Sequence, residues 1–481
     1  MQIHTPEWVH HAVFYQIFPD RFAISPRVSK PNNLQDWDSP PTIEGYKGGD
    51  LIGVVEHLDH IQELGCNAIY FTPVFQSASN HRYHTHDYGK VDPLLGGNDA
   101  LRVLLDECHA RNIKVVLDGV FNHASRGFFQ FNDILENGPH SPYLDWFFIE
   151  DWPLSAYDGA KPANYGSWIG NRALPKFNTD NPQVREFIMQ VAEFWLDFGI
   201  DGWRLDVPFE ISTPGFWQEF RERVKARNPD AYIVGEVWQD SREWLQGDQF
   251  DAVMNYLFTG PTIAYTAGPR VIAANVEGRS YDTSPALSAR EYGAKIEELL
   301  ALYDWQIQLA QLNLLDSHDT ARLLGIAGGD KTTVRLATIL LMTYPGAPSV
   351  FYGDEIGLPG DLDPDSRRGM PWHRPEDWDL GMLAFHKHLI AMRHAHAALR
   401  TGSYHQLYAD DAVYAFVRVG GDETIIVAVN VASEPRTVDL PVGVQVADGV
   451  VLKPLYGESG ATCANGVVRI TIPARDGVVI G

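Results

Sequence analysis

The chain has 481 residues, with 62 Asp and Glu against 38 Lys and Arg and a formal net charge of −24. That acidic balance argues against nucleic acid or an anionic membrane as partner, since either would need a basic face, and leaves a neutral partner such as a sugar unaffected. A hydrophobic fraction of 45% and a charged fraction of 21% are those of an ordinary globular protein, long enough for one large barrel with additions.

The opening stretch, MQIHTPEWVHHAVFYQIF, has no basic segment followed by a sustained apolar run. No run approaches the roughly 18 apolar residues of a membrane span, so a cytoplasmic protein is expected. Apolar, β-rich runs predict strands at Ala12–Phe18, Ala68–Phe75, Val115–Phe121, Asp201–Val207, Tyr232–Trp238, Asp251–Tyr256, Leu312–His318 and Ser349–Glu355. The runs are continuous rather than alternating, as in a parallel sheet covered on both faces. Helical patterns fall between them, at Asp50–Leu64, Ala100–Arg111, Pro182–Phe198 and Pro214–Arg227. Asn98 or Asp99 is a candidate cap for the second, and Asn181 followed by Pro182 suits the start of the third. Eight strands separated by helices predict an α/β fold, a (β/α)8 TIM barrel.

Two intervals are too long for βα turns. Residues 124–178 are rich in Trp, Tyr, Phe, Pro and Gly and read as an inserted domain after strand three. Between Tyr256 and Leu312, Gly268–Ser284 reads as a mobile loop and Ala289–Leu312 as helix. After Leu399, short strands such as Val413–Val419, Thr424–Val431 and Val467–Ile472 recur between turn residues, predicting a C-terminal antiparallel β-sandwich. The expected organisation is a barrel over 1–123 and 179–399, an insertion over 124–178 and a sandwich over 400–481. Cys66, Cys108 and Cys463 lack motif spacing and are expected to be buried free thiols.

Four patches end predicted strands with chemistry: DGVFNH (Asp118–His123), GWRLDV (Gly202–Val207), GEVW (Gly235–Trp238) and LLDSHD (Leu314–Asp319). A barrel delivers such strand ends to one rim, and carboxylates gathered there suit acid and nucleophile work on a glycosidic bond. Arg204 and Asp206 lie two apart on a strand and share a face, so the guanidinium is expected to keep Asp206 ionised, with a low pKa, as nucleophile. Glu236 then serves as general acid, its pKa raised by burial or by the neighbouring charge. His318 and Asp319 are placed to bind sugar hydroxyls, and Trp238, Phe209, Tyr83, Trp168 and Trp152 are candidate stacking platforms. His81, His84 and His86 with His123 and Asp118 raise a metal-dependent hydrolase, but strands five and six end without histidine, so no catalytic metal is expected.

These four patches resemble the principal motif regions of the α-amylase superfamily of glycoside hydrolases, over about Val13–Leu399, and the sandwich after them resembles that family's C-terminal domain. The resemblance implies a retaining double displacement on α-glucosidic bonds, with Asp206 as nucleophile, Glu236 as acid/base and Asp319 as transition-state stabiliser. It implies that His81, Tyr83, His123, His318, Asp363 and Arg367 contact the cleaved sugar, and that Asp118 and Arg204 hold the geometry. LPKFN (Leu174–Asn178) and Glu210 are similar to markers of the neopullulanase, cyclomaltodextrinase and maltogenic amylase group, which acts on short maltodextrins, cyclodextrins and pullulan. VPFE (Val207–Glu210) departs from that group's VANE, and Phe209 either stacks an acceptor sugar or fills space at the rim. The group's usual N-terminal β-domain is not seen before Val13, so a monomer, or a dimer not built by that domain, is expected. Relatives without it lean towards α-1,6 debranching, which makes debranching or transglycosylation the alternative reading. A non-catalytic glucan-binding barrel is a further one, weakened because all three acids are present. No cofactor is required by the resemblance, although calcium stays open because Asn122 matches a position that ligates it in some amylases.

Overall fold

The computed structural model describes residues 3–279, 281, 283, 285–443, 445–458 and 460–481. Eight parallel strands run β1 (Phe14–Ile17), β2 (Ala68–Phe71), β3 (Lys114–Gly119), β4 (Gly202–Leu205), β5 (Tyr232–Gly235), β6 (Ala252–Val253), β7 (Leu312–Asn313) and β8 (Ala347–Phe351). Their hydrogen-bonded order is β6-β5-β4-β3-β2-β1-β8-β7, and a parallel bridge from Met254 to Leu312 brings the ends of that sheet together as a barrel. Nearly every strand residue is buried, as the continuous apolar runs require.

The strands are shorter than the apolar runs that predict them, because the chain leaves the ladder where the chemistry begins. β6 stops at Val253, and Asn255 then caps the helix Tyr256–Thr266 by accepting from the Phe258 amide. β7 stops at Asn313, so Leu314–Asp319 is free to turn over the barrel end.

Helix starts divide in the same way. Asn181 accepts from the Gln183 amide ahead of Pro182–Phe198, as expected, and Gly199 closes that helix at φ +114°, a conformation side chains disfavour. Neither Asn98 nor Asp99 caps its helix, which begins at Gly97. Asn98 instead accepts from the Val91 amide. The expected helix Asp50–Leu64 breaks at His57, and Ala289–Leu312 divides into Ala289–Leu300 and Trp305–Ala310, the second capped by Asp304. Of the loop expected to be mobile, Ser280, Asp282 and Ser284 lie outside the described residues. The described part carries two 3-10 turns and a Tyr281 that is only 6% exposed.

The segment after β3 contains the helix Phe129–Asn137 and scattered bridges, among them His123 with Lys176 and Phe147 with Phe177. Its buried aromatics, among them Phe128, Phe131, Trp146, Phe147, Tyr165 and Phe177, are continuous with the barrel's core. From Ser403 the chain forms a five-stranded and a four-stranded antiparallel sheet, with a buried aliphatic layer that includes Val413, Ile426, Leu440 and Ile470. Two buried arginines meet at the junction, where Arg418 joins these sheets to the barrel and Arg393 ties the last barrel helix to the same seam. Arg393 donates to the carbonyls of Met342, Tyr344 and Leu399, and Arg418 donates to those of Thr343, Leu399, Gly402 and Ser403. The three cysteines are free and buried. Among the described residues no helix is long and apolar enough to cross a membrane.

Candidate active site

Arg204, on β4, is fully buried and anchors the site. Its Nη1 donates to Asp118 Oδ2 at 2.9 Å and Asp206 Oδ1 at 3.1 Å, while Nη2 stands 3.0 Å from Glu236 Oε2. One guanidinium thus serves strand ends β3, β4 and β5. Asp118 also accepts from the hydroxyls of Tyr70 and Tyr83, each at 2.9 Å. Neither Asp118 nor Arg204 faces the cleft, so both act on substrate only through their neighbours.

Glu236 is held at both oxygens. The Trp238 indole donates to Oε1 at 3.0 Å, and the Val207 amide donates to Oε2 at 3.2 Å. That amide reaches Glu236 from a residue at φ +35°, a left-handed conformation costly for a β-branched side chain. The strain sits directly after Asp206, where the chain must turn out of the strand.

The third carboxylate, Asp319, comes after β7. His318 Nε2 lies 3.0 Å from its Oδ2 and Arg367 Nη2 donates to its Oδ1 at 3.3 Å. Gln16 Nε2 faces His318 Nδ1 at 2.8 Å, and an amide nitrogen only donates, so the imidazole proton sits on Nε2. That nitrogen is also 2.6 Å from the Tyr83 hydroxyl, and the two rings stack with centroids 5.6 Å apart. Burial holds His81 and His318 well below the usual histidine range and takes His123 down to about 3. All three are therefore neutral hydrogen-bonding groups at neutral pH.

The carboxylates behave differently from the expectation for Asp206. Burial, then the charge of Glu236, pushes Asp206 well above the ordinary aspartate range, against the pull of Arg204. Burial likewise raises Glu236 and Asp319, and takes Asp118 up to about 6. The low pKa expected for Asp206 fails because its arginine is shared with Asp118 and Glu236. Among the described residues, the cations in contact with Asp206, Glu236, Asp118 and Asp319 are Arg204 and Arg367, so the unliganded cluster retains a proton to higher pH than isolated acids would.

A cleft of about 420 Å³ gathers Asp206, Glu236, Asp319, His81, Tyr83, His123, Trp238, Asp363 and Arg367. His318, fully buried, lies behind Tyr83 and Asp319. Trp168 lines the cleft and stacks on His123 at 5.6 Å, while Trp152 packs away from it. Trp238 lines the cleft, and Tyr256 lies flat on one of its faces with centroids 3.6 Å apart. Phe209 is 42% exposed and stands outside the cleft lining. Glu210 is also outside it, paired with Lys176 at 2.8 Å, so the LPKFN and VPFE segments are tied to each other there, while Leu174 and Val207 from the same segments line the cleft.

Several contributors were not singled out from sequence. Arg279 lines the cleft and pairs with Asp363 at 3.1 Å, and Thr42, Ile43 and Asn80 build another wall. Lys47 fixes the loop behind that wall by donating to the carbonyls of Asp36, Trp37 and Ser39. Nothing in local periodicity marks these residues, since each acts through its tertiary contacts. Among the described residues no group of three or more His, Cys, Asp or Glu is arranged to hold a metal ion. The buried Asn122 Oδ1 has no hydrogen-bond partner among them.

Comparison with known proteins agrees with this geometry. The α-amylase catalytic-domain family matches residues 16–374, and the neopullulanase-like C-terminal domain family matches residues 404–476. Neopullulanase 2 of Thermoactinomyces vulgaris is 42% identical over 99% of the chain and 78% of its own length. A cyclomaltodextrinase of Bacillus sp is 45% identical over 88% of the chain and 73% of its own length. The crystal structure of a debranching enzyme from Nostoc punctiforme superposes with a TM-score of 0.92 at 60% identity, covering 100% of both chains.

Proposed function

We infer, for a chain that belongs to the α-amylase family of glycoside hydrolases, that it hydrolyses α-glucosidic bonds of short α-glucans with retention of configuration. The observation that carries this reading is the meeting of Asp206, Glu236 and Asp319, from β4, β5 and the turn after β7, in one cleft. Asp206 and Glu236 both contact a single guanidinium. A pair held on one cation suits the close carboxyls that retention needs (about 5–5.5 Å).

In the proposed sequence, Glu236 gives its proton to the glycosidic oxygen as Asp206 attacks the anomeric carbon, forming a glycosyl ester and releasing the leaving sugar. Glu236, now a carboxylate, takes a proton from water, which attacks the same carbon and returns Asp206. Arg204 offsets the negative charge on Asp206 before the ester forms and after it is hydrolysed, and Asp319 stabilises the developing positive charge on the ring. Neutral His81, His123 and His318 add hydrogen bonds without drawing the acid proton away. The side chains supply both acid and nucleophile, so the reading calls for no cofactor. Cytoplasmic residence and a neutral oligosaccharide as the partner belong to the same reading.

Maltodextrins, cyclodextrins and pullulan are the proposed substrates, supported by the neopullulanase and cyclomaltodextrinase relatives. The whole-chain likeness to a debranching enzyme supports α-1,6 bonds as a second target. β-Cyclodextrin and maltotriose are expected to turn over faster than soluble starch in reducing-sugar assays, and equal or faster starch hydrolysis would overturn the preference. Pullulan products decide the bond: panose reports α-1,4 cleavage and maltotriose α-1,6.

A further inference from the structure

We propose that Tyr256 is a positioning residue that keeps Glu236 and Asp319 in register, an inference resting on the catalytic roles proposed above. The strand ends β5 and β7 carry those two carboxylates, and β6 between them carries none into the cleft. Beyond β6 the chain places Tyr256 instead, buried at the first turn of its helix and absent from the cleft wall.

The residue has two arms. Its ring lies on the Trp238 indole, 3.6 Å between centroids and 4° between planes, and that indole donates to Glu236 Oε1 at 3.0 Å. Its hydroxyl is 3.0 Å from Ser317 Oγ, which accepts from the Asp319 amide at 3.2 Å. Ser317 and Tyr256 are both shielded from water, so these contacts do not compete with solvent. One side chain therefore touches the partner of the acid and the partner of the stabiliser. Sequence pattern gives no hint of this, because a Tyr at the end of an apolar run reads as core.

The two arms predict different signatures. The indole N–H favours ionised Glu236, so releasing it raises the acid's pKa further and moves the alkaline limb of kcat/KM upward. The other charged or titratable groups facing Glu236 are Arg204 and Asp206 on the β4 end, Asp118 on β3 and Asp319 after β7. All of them remain in the Tyr256 variants.

Tyr256→Leu, which loses the stack, is expected to shift that limb upward by about one pH unit and to lower kcat roughly 10- to 100-fold, with KM within about threefold. Tyr256→Phe keeps the stack and loses the Ser317 arm, so the limb should return to its wild-type position while kcat stays about three- to tenfold low. A folded Tyr256→Leu with the wild-type limb, or a Tyr256→Phe that shifts it equally, overturns the proposal. If Tyr256→Leu does not fold, Trp238→Phe must give the same upward shift, and its failure to do so overturns the proposal as well. A wild-type profile with no alkaline limb would instead sink the assignment of Glu236 as acid, so the two failures are distinguishable.

Discussion

Asp206→Asn is expected to lower hydrolysis of maltotriose and β-cyclodextrin on the order of 10⁴-fold or more, while leaving the protein folded and able to bind maltodextrin. Asparagine keeps an oxygen for Arg204 but cannot form the glycosyl ester. The fold should tolerate the change well, because Asp206 is buried beside Glu236, Asp118 and Asp319, and removing one charge relieves repulsion. Its thermal midpoint should therefore equal or exceed that of the wild type. Initial rates, calorimetric titration with maltotriose and a thermal melt check the three parts. A rate within about tenfold of wild type would rule out Asp206 as the nucleophile.

The largest loss of stability should come from Arg204→Met. Removing one partner from a buried ionic cluster costs about 3–5 kcal/mol, because the charges left behind are uncompensated. Here Asp118, Asp206 and Glu236 would all lose their shared cation. Arg204→Lys should not restore activity, since one ammonium cannot address three carboxylates from three strand ends. The penalty has a definite pH sign. Without Arg204 the buried carboxylates rise further above their unfolded values, so the folded variant binds more protons than the unfolded chain and loses stability as pH increases. Urea unfolding at about pH 5 and about pH 8 should show the larger deficit at the higher pH. A variant within about 1 kcal/mol of wild type at both would show that the cluster does not depend on this guanidinium.

The barrel was legible because its strands are buried on both faces and cannot alternate, and because Asp118, Arg204, Glu236 and Asp319 stand where apolar runs give out. Pro182 after Asn181 marked a helix start for an equally local reason. The misreadings share a different origin. Asp206 beside Arg204 reads as an isolated ion pair, but its pKa depends on how many other acids the fold brings to that arginine. Trp238 reads as a candidate platform for sugar, with no sign in the sequence that Tyr256, from beyond the next strand, is laid against one face. Glu210 reads as a cleft residue until Lys176 is brought to it across the inserted segment. Gly97 begins a helix that Asn98 or Asp99 was expected to cap, because the Asn98 side chain is engaged by the Val91 amide. Charge sharing and face-to-face packing are properties of the folded neighbourhood, and no window of sequence contains them.

The arginines between the barrel and the C-terminal sheets bear on how far such enzymes can be treated as modular. Arg393 and Arg418 both claim the Leu399 carbonyl, and Arg418 also reaches back to Thr343 from a strand of the C-terminal sheet. Their hydrogen bonds run to peptide carbonyls, so oriented backbone dipoles, rather than carboxylates, offset the two charges. Exchanging the terminal sheets for those of a relative would therefore transplant a cation along with the strands, and the recipient would need carbonyls already aimed to receive it. Grafts that ignore this seam would leave peptide oxygens dry and unmatched at the join, whatever the quality of the packing elsewhere.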